Sequence, residues 1–262
     1  MLIMRKIRLS KNNYYTPEAD EAYWSATFVK NMSKCPAAAI ATARHEWGQE
    51  KTTALMVGQY IDAWFDGKKA YRSFVDNNPD IFNSRTGELK ADYRKAREMI
   101  ERAQNDPVFM EFMRGRKQTI RTGTIGGIPF RCKMDVYRKN ERIVDLKTVK
   151  DMQPMYLPEV GKVSFAEYWN WPLQLAIYQA LEGNNLPCYL AVITKEEPPD
   201  IAIIEVPQHV LDAEMEMLKE KLPMFDAMRN GIIEPERCEN CSYCRKTRKL
   251  TGAISLDELT EL

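Results

Sequence analysis

Apolar positions recur at helical intervals through the first hundred or so residues and then switch toward alternation, which predicts a helical first part and a strand-bearing second part. Residues 20–30 (DEAYWSATFVK) begin polar and carry Tyr, Trp, Phe and Val on mixed faces, an entry to the first ordered elements. Pro36 opens an Ala-rich stretch to Arg44. Over residues 53–65, Leu55, Val57, Ile61 and Trp64 fall near helical spacing and predict a deeply buried helix. The Asn-, Asp-, Pro- and Gly-rich run 76–87 predicts a loop. A charged helix is expected over 90–103, with Tyr93, Ala96 and Ile100 on one side, and Asp106-Pro107 starts a short one through Arg114. Short β-rich segments follow at 118–121, 128–137 and 142–146, separated by Gly123, Gly126-Gly127 and Lys139-Asn140. Beyond them the pattern predicts an aromatic-rich helix at 165–181, strands at 189–194 and 202–206, and a long amphipathic helix at 207–229. A charged tail at 245–262 is expected to end in a short helix.

Composition narrows this. With 262 residues and 44% hydrophobic content, the chain can bury one large domain, expected over 1–236, with a Cys-bearing appendage and charged tail over 237–262. Lys and Arg number 38 against 37 Asp and Glu, so the net charge of +1 gives no global pull toward nucleic acid or membrane, and any attraction to DNA must be local. The first ten residues lack the apolar run of a signal peptide, and no stretch approaches the roughly 18 apolar residues of a membrane span. The expectation is a cytoplasmic protein with no membrane partner, in which six Cys serve as free thiols or metal ligands.

The candidate chemistry sits on two adjacent strands. Asp135 lies in KMDVY, and Asp145 and Lys147 lie in IVDLKTV, both among β-branched residues of a buried sheet. If Lys139-Asn140 closes a hairpin, the two carboxylates can sit side by side, and the period of 2 puts Asp145 and Lys147 on one face. Close carboxylates repel unless a cation neutralises them, so Mg²⁺ or Mn²⁺ is the natural filler. On spacing alone, Asp-x-Lys reads more readily as a surface charge pair beside a turn. Its place in a strand that otherwise reads as core argues against that, because an unpaired buried carboxylate is costly.

These residues resemble the PD-(D/E)XK nucleases, and within them the phage-type and RecE-like exonucleases. That superfamily carries, in order, an acidic residue, a D/E-x-K strand and a helix with Q-x-x-x-Y. Here they read Asp135, Asp145-Leu146-Lys147 and Gln174-Leu-Ala-Ile-Tyr178. An upstream G-x-x-x-H helix corresponds to Gly58-Gln-Tyr-Ile-Asp62, where this chain departs by carrying Asp in place of the metal-binding His. The resemblance covers approximately residues 24–244. It implies an α/β (α+β) restriction-endonuclease-like core, a mixed β-sheet flanked by helices. It further implies a metal held by Asp62, Asp135, Asp145 and Leu146, with Asp135, Asp145, Lys147, Gln174 and Tyr178 as catalytic or site-supporting residues.

Cys238, Cys241 and Cys244 form C-x-x-C-x-x-C, a spacing that lets thiolates wrap one metal centre, with Cys35 as the candidate fourth ligand. Cys132 and Cys188 lie in expected strands and read as buried apolar residues. By resemblance to the iron-sulfur members of the superfamily, the AddB-type helicase-nucleases and some CRISPR-associated exonucleases, a [4Fe-4S] cluster is expected, with Zn²⁺ as the alternative. Around the cluster, Arg237, Arg245, Lys246, Arg248 and Lys249 form a local basic patch.

The function expected is a metal-dependent deoxyribonuclease, an exonuclease of phage or mobile-element recombination. Its substrate is linear duplex DNA ends, and resemblance to RecE-like systems suggests a single-strand annealing protein as partner. The alternatives are a DNA-binding module with a decayed active site and a zinc-stabilised interaction protein.

Overall fold

The computed structural model describes residues 7–48, 52–158, 160–250, 252, 253 and 256. Three short helices come first: α1 (Pro17–Ala22), α2 (Ala26–Lys34) and α3 (Pro36–Ala43). Ser25 caps α2 by accepting the Phe28 N–H at 3.2 Å. Pro36 has no N–H to donate back into α2, so the chain breaks at Cys35, which ends α2 and begins α3. Helices α4 (Thr53–Asp66) and α5 (Lys68–Asn77) meet at Gly67, whose φ of 111° suits a residue without Cβ. α6 (Ala91–Gln104) and α7 (Pro107–Phe112) complete the helical half.

The second half supplies the sheet. β1 (Arg116–Ile125), β2 (Ile128–Arg138) and β3 (Arg142–Val149) form an antiparallel meander, and a small hairpin follows, β4 (Met155–Leu157) with β5 (Gly161–Val163). The crossover passes through α8 (Phe165–Tyr168) and α9 (Trp171–Glu182) to β6 (Cys188–Thr194), which pairs parallel to β3. β7 (Ile201–Val206), α10 (Gln208–Arg229) and α11 (Ser242–Thr247) close the chain. The five-stranded sheet has the order β1-β2-β3-β6-β7 and is mixed, as the family resemblance implied.

Two apolar layers cover the sheet. Val57, Tyr60 and Ile61 of α4, with Met99 and Ile100 of α6 and Phe109 of α7, pack on Val136, Val144, Leu146, Ala191 and Ile193. On the opposite face Leu175 and Tyr178 of α9 pack on Ile143, Leu190 and Val192. Outside that layer, Val29 and Met32 of α2 pack with Ile177 of α9 and Leu222 and Phe225 of α10.

Several expectations change in detail. The helix at 53–65 forms, but Leu55 faces outward at 51% exposure, and Tyr60 and Phe65 take buried places instead. The loop at 76–87 includes the end of α5 and a 3-10 turn at Pro79–Ile81 that buries Ile81. One helix at 165–181 becomes two, because Asn170 takes a left-handed φ of 52° between α8 and α9. The strand at 118–121 is the middle of the longer β1, while α5 and the β4–β5 hairpin carried no expectation. The short helix expected to end the chain falls largely outside the described residues. No helix among the described residues is long and apolar enough to cross a membrane.

Candidate active site and cysteine centre

The β2–β3 ladder runs from Arg138↔Arg142 to Val136↔Val144 and stops there, one residue short of Asp135 and Asp145. On β1, the residue facing Asp135 is Gln118, which has a positive φ of 53° and makes no ladder pairing. Strand alternation shifts at the same point: Met134 faces α9, whereas Val136 faces α4. Asp135 fills the gap with its side chain. Its Oδ2 accepts the backbone N–H of Leu146 at 3.0 Å, and its Oδ1 accepts from Gln118 Nε2 at 3.2 Å.

Asp145 is buried, and its Oδ2 has the Lys147 ammonium beside it but no well-directed hydrogen bond. Its Oδ1 accepts from Gln174 Nε2 at 3.0 Å. The same amide nitrogen donates to the Tyr178 hydroxyl at 2.8 Å, because Gln174 and Tyr178 lie one turn apart on α9. The indole of Trp171 lies 5.5 Å from Lys147 Nζ, a cation–π contact that helps hold the ammonium in place.

Asp62 reaches the cluster from the other layer. Gly58, one turn before it on α4, lies against β3: a Cβ there would stand 3.3 Å from Thr148 Oγ1. That close approach brings Asp62 over the acidic end of the sheet. Burial and the charges of Asp145 and Asp66 push its carboxyl up to about 7, against the pull of Lys147. Burial also raises Asp135 well above the usual carboxylate range, and Asp145 and Asp62 add to it. Burial lowers Lys147, but the three carboxylates outweigh it and hold the ammonium above its ordinary value. Tyr178 is raised strongly by burial and by the same two aspartates on the sheet.

Asp135, Leu146, Asp145, Lys147, Gln174 and Tyr178 are thus joined by hydrogen bonds or an ion pair, and Asp62 acts on them through its charge. Among the described residues only the four cysteines bring three or more candidate ligand atoms within 4.8 Å of one another. Leu146 buries its side chain, so what it can offer a cation is its backbone carbonyl. Four further residues were not anticipated. Asp66, one turn beyond Asp62, accepts from Gln118 at 3.0 Å, and its helical spacing from Asp62 was a legible signal. Gln118, Trp171 and Lys30 carried none. Lys30 of α2 donates to Gln174 Oε1 at 2.9 Å, a contact between residues 144 positions apart.

These oxygens suit a hard divalent cation. Clustered carboxylates held above their ordinary pKa are electrostatically frustrated without a positive partner, and the buried Asp145 Oδ2 has only Lys147.

The second centre lies at the junction of α2 and α3. Cys35, Cys238, Cys241 and Cys244 have all four sulfurs within 4.8 Å of one another. Cys35 is 3.5 Å from Cys244 and 3.9 Å from Cys241, and Cys238 is 4.0 Å from Cys244. The Cys241 N–H points at Cys238 Sγ and the Cys244 N–H at Cys241 Sγ, each at 3.4 Å. Backbone N–H groups of Asn240 and Cys241 bring Cys238 down to about 7, whereas burial raises Cys35 and takes Cys244 up to about 12, so without a cation Cys238 favours the thiolate and those two the thiol. Cys132 and Cys188 are buried in strands away from this centre, as expected. Of the basic patch, Arg237 and Arg248 pair with Glu239, so part of its charge is already neutralised.

Comparison with known proteins agrees with this fold. Residues 25–247 match the family described as a PDDEXK-like domain of unknown function, DUF3799. The crystal structure of a "Putative exonuclease" from Eubacterium rectale superposes with a TM-score of 0.92 at 35% identity, covering 97% of this chain and 98% of that one. SSO0001, another solved protein, aligns at 13% identity over 77% of this chain and 85% of that one, with a TM-score of 0.32 too low to carry an argument. No curated protein matches the chain.

Proposed function

The chain belongs to the PDDEXK-like domain family and has a nuclease fold, and from that premise we propose that it is a Mg²⁺- or Mn²⁺-dependent deoxyribonuclease. In this reading it acts as an exonuclease on linear duplex ends, in phage or mobile-element recombination beside a single-strand annealing partner. The observation that carries the reading is the contact chain from Lys147 through Asp145 to Gln174 and Tyr178, set against Asp135 and Asp62.

Asp62, Asp135, Asp145 and the Leu146 carbonyl would hold the cation. When bound, it lowers the pKa of water and neutralises charge on the phosphate. The chain's own residues do the rest. Lys147, fixed by Asp145 and Trp171, orients the attacking water and offsets charge developing on the phosphate. Asp135 keeps the opened end of the β2–β3 ladder in place through Leu146. Gln174 holds Asp145 in one rotamer, and the Tyr178 hydroxyl fixes Gln174. The replacement of the family's His by Asp62 raises the alternative of a decayed DNA-binding module. An intact Lys147 network favours activity.

The four thiols are best read as a zinc site. Sulfurs bound at about 2.3 Å to one tetrahedral ion stand about 3.8 Å apart, against 3.5, 3.9 and 4.0 Å for three of the six pairs here, with all six within 4.8 Å. In a [4Fe-4S] cube each thiolate holds a different corner iron, so its sulfurs spread more widely. Through Cys35 such an ion would tie residues 237–247 to the first helices and so join the start of the appendage to the nuclease domain.

The test incubates linear and closed circular duplex with Mg²⁺, Mn²⁺ or EDTA, beside Lys147→Ala. Cleavage of linear DNA alone, dependent on metal and reduced at least about 100-fold by Lys147→Ala, is the expected result. DNA that stays intact with either metal would remove the catalytic reading.

A further inference from the structure

Helix α2 has charges that the proposed chemistry does not use. Its sequence ATFVKNMSK contains Lys30 and Lys34 and no acidic residue. Val29 and Met32 anchor the helix in the core, and Lys30 and Lys34, one turn apart, lie along another side. Lys30 is half-buried and ends on Gln174, which in turn holds Asp145. Lys34 lies over the ring of Trp169, 5.6 Å from its centroid, and Trp169 is 44% exposed at the corner where α8 gives way to α9. Among the described residues neither lysine forms an ion pair with a carboxylate. That is unusual for Lys30, since half-burying an ammonium beside a neutral amide stabilises neither group fully. Burial and the nearby Lys147 depress it to about 8, which an arriving anion would relieve.

Resting on the nuclease reading, we propose that α2 is the rail for the DNA strand being cut: Lys30 takes the backbone phosphate next to the scissile one, Lys34 takes the following phosphate, and Trp169 stacks on a base between them. The run Lys34, Lys30, Gln174, Asp145 leads from the surface into the carboxylate cluster and so gives the strand a direction. Lys30 loses contact with Gln174 Oε1 only as it gains a phosphate oxygen, so strand arrival and the setting of Gln174 are coupled. The solvent-exposed part of the Trp169 indole can take any base unpaired at the duplex end, because every base has a π-face. Contacts of this kind would give sequence-tolerant binding without base-edge contacts. With a net charge of +1 the attraction for a polyanion has to be local, and Lys30 and Lys34 supply two such charges beside the site.

The experiment measures affinity for a linear duplex oligonucleotide in EDTA over a series of KCl concentrations, for the wild type, Lys30→Gln, Lys34→Gln, Lys34→Arg and Trp169→Ala. Each Gln variant should lower the slope of log K against log salt by about one, the signature of a lost phosphate contact, and Lys34→Arg should restore it. Trp169→Ala should weaken binding about 5- to 100-fold with the slope unchanged. Unchanged slopes in both Gln variants overturn the rail. Should Lys30→Gln melt early, exposed Lys34 carries the same test. A wild type that binds with the expected slope yet never cuts in Mg²⁺ leaves the rail standing and removes the nuclease reading. Failure of the wild type to bind at all removes both.

Discussion

Asp62→Asn tests the electrostatic account of the carboxylate cluster most directly. An Asp held at about 7 in the folded protein, against an ordinary 3.8, makes ionisation oppose folding. The unfolded chain releases the proton above pH 3.8 while the folded one keeps it until about 7, so stability falls through that window and stays low above it. At about 1.4 kcal/mol per pH unit, the full interval sets a ceiling of about 4 kcal/mol at pH 8 and about 2 kcal/mol at pH 5. Asp135 and Asp145 share the repulsion, and neutralising Asp62 relieves only part of it, so a gain of about 1–2 kcal/mol at pH 8 is expected. For a domain of this size that raises Tm by about 2–8 °C. The assay is thermal melting of both proteins in EDTA at pH 5 and pH 8, then with Mg²⁺. Asn should stabilise, more at pH 8 than at pH 5. Mg²⁺ should stabilise the wild type more than the variant, because the wild type gains by binding it. A variant that melts lower than wild type by the same amount at both pH values would refute the reasoning, for then Asp62 holds the fold together through a contact rather than straining it through its charge.

Other outcomes follow from the packing and the second centre. Elemental analysis of anaerobically purified protein should find one zinc per chain and no broad visible absorbance; several irons per chain would restore the [4Fe-4S] reading. Stripping that zinc should lower Tm and also weaken duplex binding, since Cys35 ends the helix that carries Lys30 and Lys34. Gly58→Ala should leave urea stability within about 1 kcal/mol, because alanine's helix propensity offsets the 3.3 Å approach to Thr148, yet cut cleavage several-fold by lifting Asp62 from β3. Unchanged activity would mean that the close approach of α4 does not matter. Leu175→Ala, at a fully buried site of α9, should cost about 2–5 kcal/mol in urea unfolding; a loss below 1 kcal/mol would contradict the packing described.

Much of this protein was legible in its sequence because the relevant signals are local. Helical spacing placed the helix through Ile61, and Pro36 marked the start of the Ala-rich α3. Period-2 spacing put Asp145 and Lys147 on one face, and an i,i+4 spacing put Gln174 and Tyr178 on another. Three cysteines spaced by two residues marked a candidate metal centre without any coordinates. The tertiary structure decided what depends on which surfaces meet. Lys30 joins the site only because Val29 and Met32 press α2 against α9. Leu55 turns out to solvent because the sheet has room for one face of α4. Asp135 reaches Leu146 because the β2–β3 ladder opens at Val136, an event set by Gln118 on a third strand. The sulfur spacing that separates a single ion from a cube is likewise a distance across more than two hundred residues, which spacing along a chain does not encode.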